Sequence, residues 1–155
     1  MKTARRLLLW TLSGPVIFLL AGCPKQPTRI NVVLSAATDV NPDPSGQALS
    51  VVVRIYQLKD KGRLESADYN AILRSDKEAL SDDLLERQER VVQPGTQEML
   101  EIQANPMARY IAAVALFRNP SGDRWRTLIP VAQSKTQKIS LTLREQSIEI
   151  ASSTR

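Results

Sequence analysis

Beyond residue 29 of this 155-residue chain, apolar residues recur with a period of two in short runs cut by proline, glycine and asparagine. Few folds admit that pattern, because alternation over four to eight residues is the signature of a half-buried strand. Residues 30–37 place Ile30, Val32, Leu34 and Ala36 on one face. Residues 51–58 set Val51, Val53 and Ile55 against Arg54 and Tyr56. Residues 86–93 and 96–103 flank Pro94-Gly95, a pair suited to a type II turn, and read as a hairpin. Residues 110–117 are apolar on both faces, as a central strand requires. After the turn Asn119-Pro120-Ser121-Gly122-Asp123, the runs 125–131, 137–143 and 147–151 bring the number to eight. Strands this short, with turns this frequent, predict an all-β antiparallel sandwich over residues 30–151, with a polar tail at 152–155.

One stretch breaks the period. Across residues 64–85, Leu64, Ala67, Ala71, Ile72, Leu73, Leu80, Leu84 and Leu85 fall near helical spacing. Ser75-Asp76-Lys77-Glu78 has the form of a capping box. Two short helices are expected here, inserted between the second and third strands and covering an edge or an open end of the sandwich.

The N-terminus is of another kind. Lys2, Arg5 and Arg6 precede an apolar stretch from Leu7 to Leu20 that is interrupted by Thr11, Ser13, Gly14 and Pro15, the layout of a cleavable export signal. It ends in Leu20-Ala21-Gly22-Cys23, which resembles a lipobox: small residues at Ala21 and Gly22 fit the peptidase, and Cys23 supplies the thiol that is acylated. Residues 1–22 are therefore expected to be removed and residues 23–29 to form an acylated tether. Two or more acyl chains hold a protein firmly to a bilayer. Pro24 stands where an aspartate usually signals retention in the inner membrane, which points to the outer membrane.

Loss of Lys2, Arg5 and Arg6 lowers the basic residues from 21 to 18, against 16 acidic ones. A net charge of +2 without a basic stripe argues against nucleic-acid binding. Cys23 is the one cysteine, so once acylated it leaves no thiol for a disulfide. No histidine occurs, which removes the Ser-His-Asp triad and the usual zinc ligands. The adjacent Asp82-Asp83 suit a helix N-terminus better than a shared catalytic proton. Trp125 is expected in the core, and Arg54 on the outer face, solvated or paired.

The loop Asp39-Val40-Asn41-Pro42-Asp43-Pro44-Ser45-Gly46, continuing through Gln47, Ala48 and Leu49 to Ser50, admits three readings. Asp39, Asn41 and Asp43 alternate as calcium ligands do, but Pro44 occupies the glycine position of an EF-hand and no glutamate closes the site. Local Asx turns are the plain reading. The third is a recognition loop preorganised by its prolines. Removing residues 40–48 is expected to leave the sandwich folded.

Asn41-Pro42-Asp43, Gly46, the block from Val51 to Leu58, Ala67-Asp68-Tyr69, Pro94-Gly95, the block from Arg109 to Arg118 and Trp125-Arg126 occur in the order found in the TssJ family, the lipoproteins of type VI secretion systems, and the chain resembles that family over nearly all of its mature length. Leu64 and Tyr69 stand where phenylalanine is usual, and Ala112 where glycine is common. The resemblance implies a transthyretin-like β-sandwich with a helical excursion and no enzymatic activity or cofactor. It also implies an outer-membrane anchor that binds the periplasmic C-terminal part of TssM, and TssL only indirectly. The family makes that contact through the loop between the first two strands, here residues 39–50, with Leu49 the expected apolar anchor. A lipoprotein adaptor or pilot of another envelope assembly is the alternative. A transthyretin-like hydrolase comes third, since such enzymes rely on histidines.

Overall fold

The computed structural model describes residues 28–132 and 135–154; the expected signal peptide, Cys23 and most of the tether lie outside them. Eight strands form two four-stranded sheets packed face to face. They are β1 (Arg29–Ala36), β2 (Val51–Leu58), β3 (Leu84–Val92), β4 (Gln97–Gln103), β5 (Tyr110–Leu116), β6 (Arg126–Pro130), β7 (Gln137–Arg144) and β8 (Ser147–Thr154). The first sheet has the order β4-β1-β7-β8 and the second β3-β2-β5-β6. The core forms where the alternating faces meet: Ile30, Val32 and Leu34 from β1, with Ile139 and Leu141 from β7, oppose Val51, Val53 and Ile55 from β2 and Ile111, Ala113 and Ala115 from β5.

Three features of this arrangement correct the sequence expectations. Residues 86–103 are not a hairpin, because β3 pairs with β2 and β4 pairs with β1. Gly95, at φ 71°, bends the chain from one sheet to the other. Its N–H donates to the Ala37 carbonyl at 3.2 Å, so the turn is tied to the end of β1. A tight Pro-Gly turn looks the same in sequence whether it joins strands within a sheet or arches between sheets. Second, the sandwich is not wholly antiparallel: β1 and β7 run parallel, with Ile30 opposite Gln137 and Ala36 opposite Leu143. They are separated by most of the chain, so no short crossover is needed. Third, β8 runs past Ala151, with Ser152 and Ser153 still in register with Ile139 and Lys138. Residues 152–154 are therefore strand and not tail: exposed serine and threonine lie readily along an edge when a neighbour supplies backbone partners. β1 likewise begins at Arg29, the last residue of the expected tether.

The helical insertion is α1 (Gly62–Ser66) and α2 (Tyr69–Leu80), followed by one 3₁₀ turn at Ser81–Asp83. Leu84 and Leu85 already belong to β3. The cap that α2 uses is Asp68, whose carboxylate accepts from the Ala71 N–H at 2.9 Å. Ser75 has the extended φ of −153° inside α2 and breaks it into two segments. The insertion covers neither an edge nor an end. It lies on the outer face of the second sheet, where Arg54 and Tyr56 of β2 point. Tyr56 donates to Asp76 at 2.8 Å, Arg54 donates to the Ile72 carbonyl at 2.9 Å, and Arg87 of β3 makes a forked contact with Asp76 at 3.0 Å. Arg126 of β6 donates to the carbonyls of Leu64 and Ala67, while its guanidinium lies 4.7 Å from the centre of the buried Trp125 ring. The Tyr69 and Trp125 rings pack edge to face, with centres 5.3 Å apart and planes at 74°. With helices outside and a sheet inside, β5 is buried on both faces.

Candidate protein-binding site

Strand register divides the sandwich into two ends. Arg29 begins β1 beside Gln103, and Gln137 stands opposite the neighbouring Ile30, so the chain enters the sandwich at the end that holds the β4–β5 and β6–β7 connections. Eight residues later β1 delivers the chain to the other end, roughly 26 Å away at strand rise. There the loop of residues 37–50 meets the β3–β4, β5–β6 and β7–β8 turns.

The loop has a buried base and an exposed tip. At the base Val40 is fully buried in the core. Asn41 is buried beside it in the left-handed region, at φ 52°, a conformation that asparagine tolerates better than most residues. Its Nδ2 donates to the Ser50 carbonyl at 2.8 Å, its Oδ1 accepts from the Arg118 N–H at 2.7 Å, and its own N–H donates to the Glu145 carbonyl at 2.7 Å. One side chain thus ties the loop's two ends to each other and to the β5–β6 turn, and its backbone reaches the β7–β8 turn.

At the tip, Asp43 organises an Asx turn. Its Oδ1 accepts from the Ser45 hydroxyl at 2.6 Å, the Ser45 N–H at 2.8 Å and the Gln47 N–H at 2.9 Å. The Ser45 hydroxyl foremost, then the Gln47 N–H, holds the Asp43 carboxyl below its usual pKa. Gly46 completes the turn at φ 86°. Pro44, Ser45, Gly46 and Gln47 are exposed, Pro42, Asp43 and Ala48 half-buried. Leu49, the expected apolar anchor, is half-buried too, and its N–H donates to the Val40 carbonyl at 3.2 Å.

Two of the three side-chain oxygens that alternate as calcium ligands do are committed to other partners. That of Asn41 faces inward to Arg118, and that of Asp43 holds the tip. Among the described residues no group of three or more histidine, cysteine, aspartate or glutamate side chains is placed to hold a metal.

Residues from elsewhere in the chain complete the surface. Asp39, Pro42, Asp43, Pro44 and Gly46 share a depression of about 590 Å³ with Arg118, Asn119, Glu145 and Gln146. Sequence reasoning missed these last four. Their one signal is position: Arg118-Asn119 follows the most apolar strand, and Glu145-Gln146 is the turn between the last two runs. The site offers a preorganised polar contour, acidic at Asp39, Asp43 and Glu145 and basic at Arg118, fit for recognising a protein surface.

Residues 28–146 match the family of type VI secretion lipoproteins described by the names SciN, VasD, EvfM and TssJ. The chain belongs to this family. Among solved structures, it is similar to the type VI secretion lipoprotein TssJ1 from Pseudomonas aeruginosa, at 31% identity and a TM-score of 0.78 over 83% of this chain and 98% of that one. A chain in a structure described as a type VI membrane complex matches at 26% identity and a TM-score of 0.72, covering 81% and 99%. Another, in a structure described as the TssM C-terminal domain from EAEC, has the same fold at 23% identity, with a TM-score of 0.68 and coverage of 79% and 97%. No curated protein matches the chain. In this chain the depression lies at the end of the sandwich away from Arg29, where β1 begins.

Proposed function

We propose that this chain anchors a type VI secretion membrane complex to the outer membrane, acylated at Cys23 in the inner leaflet, and holds the periplasmic C-terminal part of TssM through the loop of residues 39–50. TssL is reached only through TssM. One observation carries the reading: β1 separates the tether from the loop by the length of the sandwich, so a lipid-anchored chain presents its preorganised loop toward the periplasm. The family's identity as secretion lipoproteins supports the anchor, and the relative solved in a type VI membrane complex supports the assembly. The role is mechanical tethering, for which a loop already rigid before contact loses little entropy on docking.

The test is titration of the mature chain carrying Cys23→Ser against the periplasmic C-terminal part of TssM. Asp43→Ala combined with Pro44→Gly loosens the tip and leaves Val40 and Asn41 in place. Interfaces concentrate their energy in a few residues, so this pair should weaken binding by about tenfold or more, with an unchanged circular dichroism spectrum. Wild-type affinity in the folded variant would put the contact elsewhere, the α1–α2 surface being the next place to look.

A further inference from the structure

The end of the sandwich opposite the loop carries a second surface. Lys59 and Asp60, at the exit of β2, share a depression of about 820 Å³ with Pro106, Met107, Ala108, Arg109 and Val131. Met107 is 60% exposed, as Val91 is, and Met99 is more so; what sets Met107 apart is that it stands between two bases in this depression. Lys59 and Arg109 are exposed, and neither side chain has a hydrogen bond or ion pair to another described residue. Of the acids nearby, the Asp60 carboxylate accepts from the Gly62 N–H, Glu65 pairs with Lys61 and Asp83 pairs with Arg63. Lys135 adds a further exposed positive charge to the β6–β7 connection at the same end.

The tether leaves the fold beside this surface. The Thr28 carbonyl accepts from the Ala104 N–H at 2.9 Å, and the Thr28 hydroxyl donates to the Ala132 carbonyl at 3.1 Å. Ala104 leads directly into Asn105-Pro106-Met107, and Ala132 follows Val131. Five peptide units separate Thr28 from Cys23, at most about 18 Å of extended chain. Acyl chains on Cys23 therefore hold this end within that distance of the bilayer. We infer that the surface of Lys59, Met107 and Arg109 docks on the phospholipid headgroup layer, with the two bases at the lipid phosphates and Met107 seated among the uppermost acyl carbons. The inference rests on the acylation proposed above. A protein docked in this way stands upright on the membrane, with the loop end held at a fixed height.

Because Cys23 is the one cysteine of the chain and is blocked when acylated, Met107→Cys introduces a single site for a nitroxide label, and Gln47→Cys supplies a control at the other end. The acylated protein is placed in vesicles of phosphatidylethanolamine and phosphatidylglycerol. Label accessibility is then measured to a water-soluble nickel complex and to oxygen, which concentrates in the bilayer. Docking predicts that the label at 107 is shielded from nickel and open to oxygen, and that the label at 47 behaves in the opposite way. Each base at an anionic surface changes the docked ratio by roughly fivefold, so Lys59→Gln with Arg109→Gln should lower it by roughly thirtyfold and return the label at 107 to nickel. Both positions are exposed, and circular dichroism confirms that the variant is folded.

Acylated, vesicle-bound protein with both labels equally open to nickel overturns the docking and leaves the anchor standing. A mass of the N-terminal peptide that shows unmodified Cys23 overturns the anchor and the docking with it.

Discussion

Asp76 is a buried carboxylate on the side of α2 that faces the sheet, where it meets Tyr56, Arg54 and Arg87. Burial alone would raise its pKa, but the Tyr56 hydroxyl, Arg54 and Arg87 together outweigh it and hold the group below its usual value of 3.8. The same contact, with burial first, pushes the Tyr56 hydroxyl well above its ordinary pKa. Since the folded pKa of Asp76 lies below the unfolded one, its contribution to stability is present above the unfolded value and is lost as pH falls through the folded value. Asp76→Asn should cost about 2–3 kcal/mol at neutral pH, because two guanidinium groups lose their shared partner while Glu89 remains beside them. The variant's stability should also fall less steeply than the wild type's between about pH 5 and pH 3. Urea unfolding at a series of pH values measures both, and parallel curves for the two proteins would show that Asp76 is not held ionised by its neighbours.

Asn41 is the other residue on which a local structure depends. Asn41→Ala removes the bonds to Ser50 and Arg118 and puts a β-carbon in the left-handed region without a polar side chain to favour it, for a loss of about 2–3 kcal/mol. Asn41→Gly should recover the backbone part, roughly 1 kcal/mol, and leave the rest lost. Equal stability of the two variants in thermal unfolding would mean that the backbone conformation carries none of the cost.

Among the elements, the β1–β2 loop changes most when its contacts are known. Read as a surface loop, residues 40–48 look dispensable. Val40 is fully buried in the core and Asn41 fastens the loop to the β5–β6 turn, so deleting 40–48 should destabilise the sandwich by about 3 kcal/mol or more. Replacing residues 44–47 with a glycine-serine segment should cost about 1 kcal/mol or less. Chemical denaturation of the two variants separates these outcomes, and a deletion as stable as the wild type would show that the loop base adds nothing to the fold.

What sequence shows of the elements follows from the range of the interactions that form them. Alternation in residues 30–36 and 51–58 marks β1 and β2, since each residue's face is a local property, and the two-sided apolar run ending at Phe117 marks β5 as central. Trp125 in the core and Arg54 on the outer face were legible too, but sequence leaves open whether Arg54 is solvated or paired, which α2 decides by covering it. The β1–β7 pairing joins residues more than a hundred positions apart, and no local pattern encodes it. Nor does any encode that Pro94-Gly95 arches between sheets, or that α2 lies over Tyr56, because each depends on which surface is left uncovered when the other strands have paired. For the candidate site, the loop's prolines and Asx residues were visible. Arg118, Asn119, Glu145 and Gln146 were not, since only the closed sandwich brings three separate turns to one end.

For the whole molecule, the lipid and partner surfaces proposed above lie at opposite ends, which would make the sandwich a rigid spacer of fixed length. Its two sheets share one core, with the parallel β1–β7 pair at the centre of the first sheet, and both the tether and the loop are direct continuations of β1. Force applied at the loop therefore runs along a strand hydrogen-bonded on both sides, to β4 and to β7, before reaching the tether. A spacer of this kind works only while its lipid end is fixed. Cys23→Ser should leave the fold and the affinity for TssM unchanged, because among the described residues every core residue lies at position 30 or beyond. The same change should move the chain from the membrane to the soluble periplasmic fraction and abolish secretion, since a contact to a freely diffusing partner transmits no force to the outer membrane. Fractionation, thermal unfolding and a secretion assay on the one variant test the three parts together. Firm retention in the outer membrane would show that a second anchor exists, and sustained secretion by a soluble chain would show that the link between membranes is made by another component.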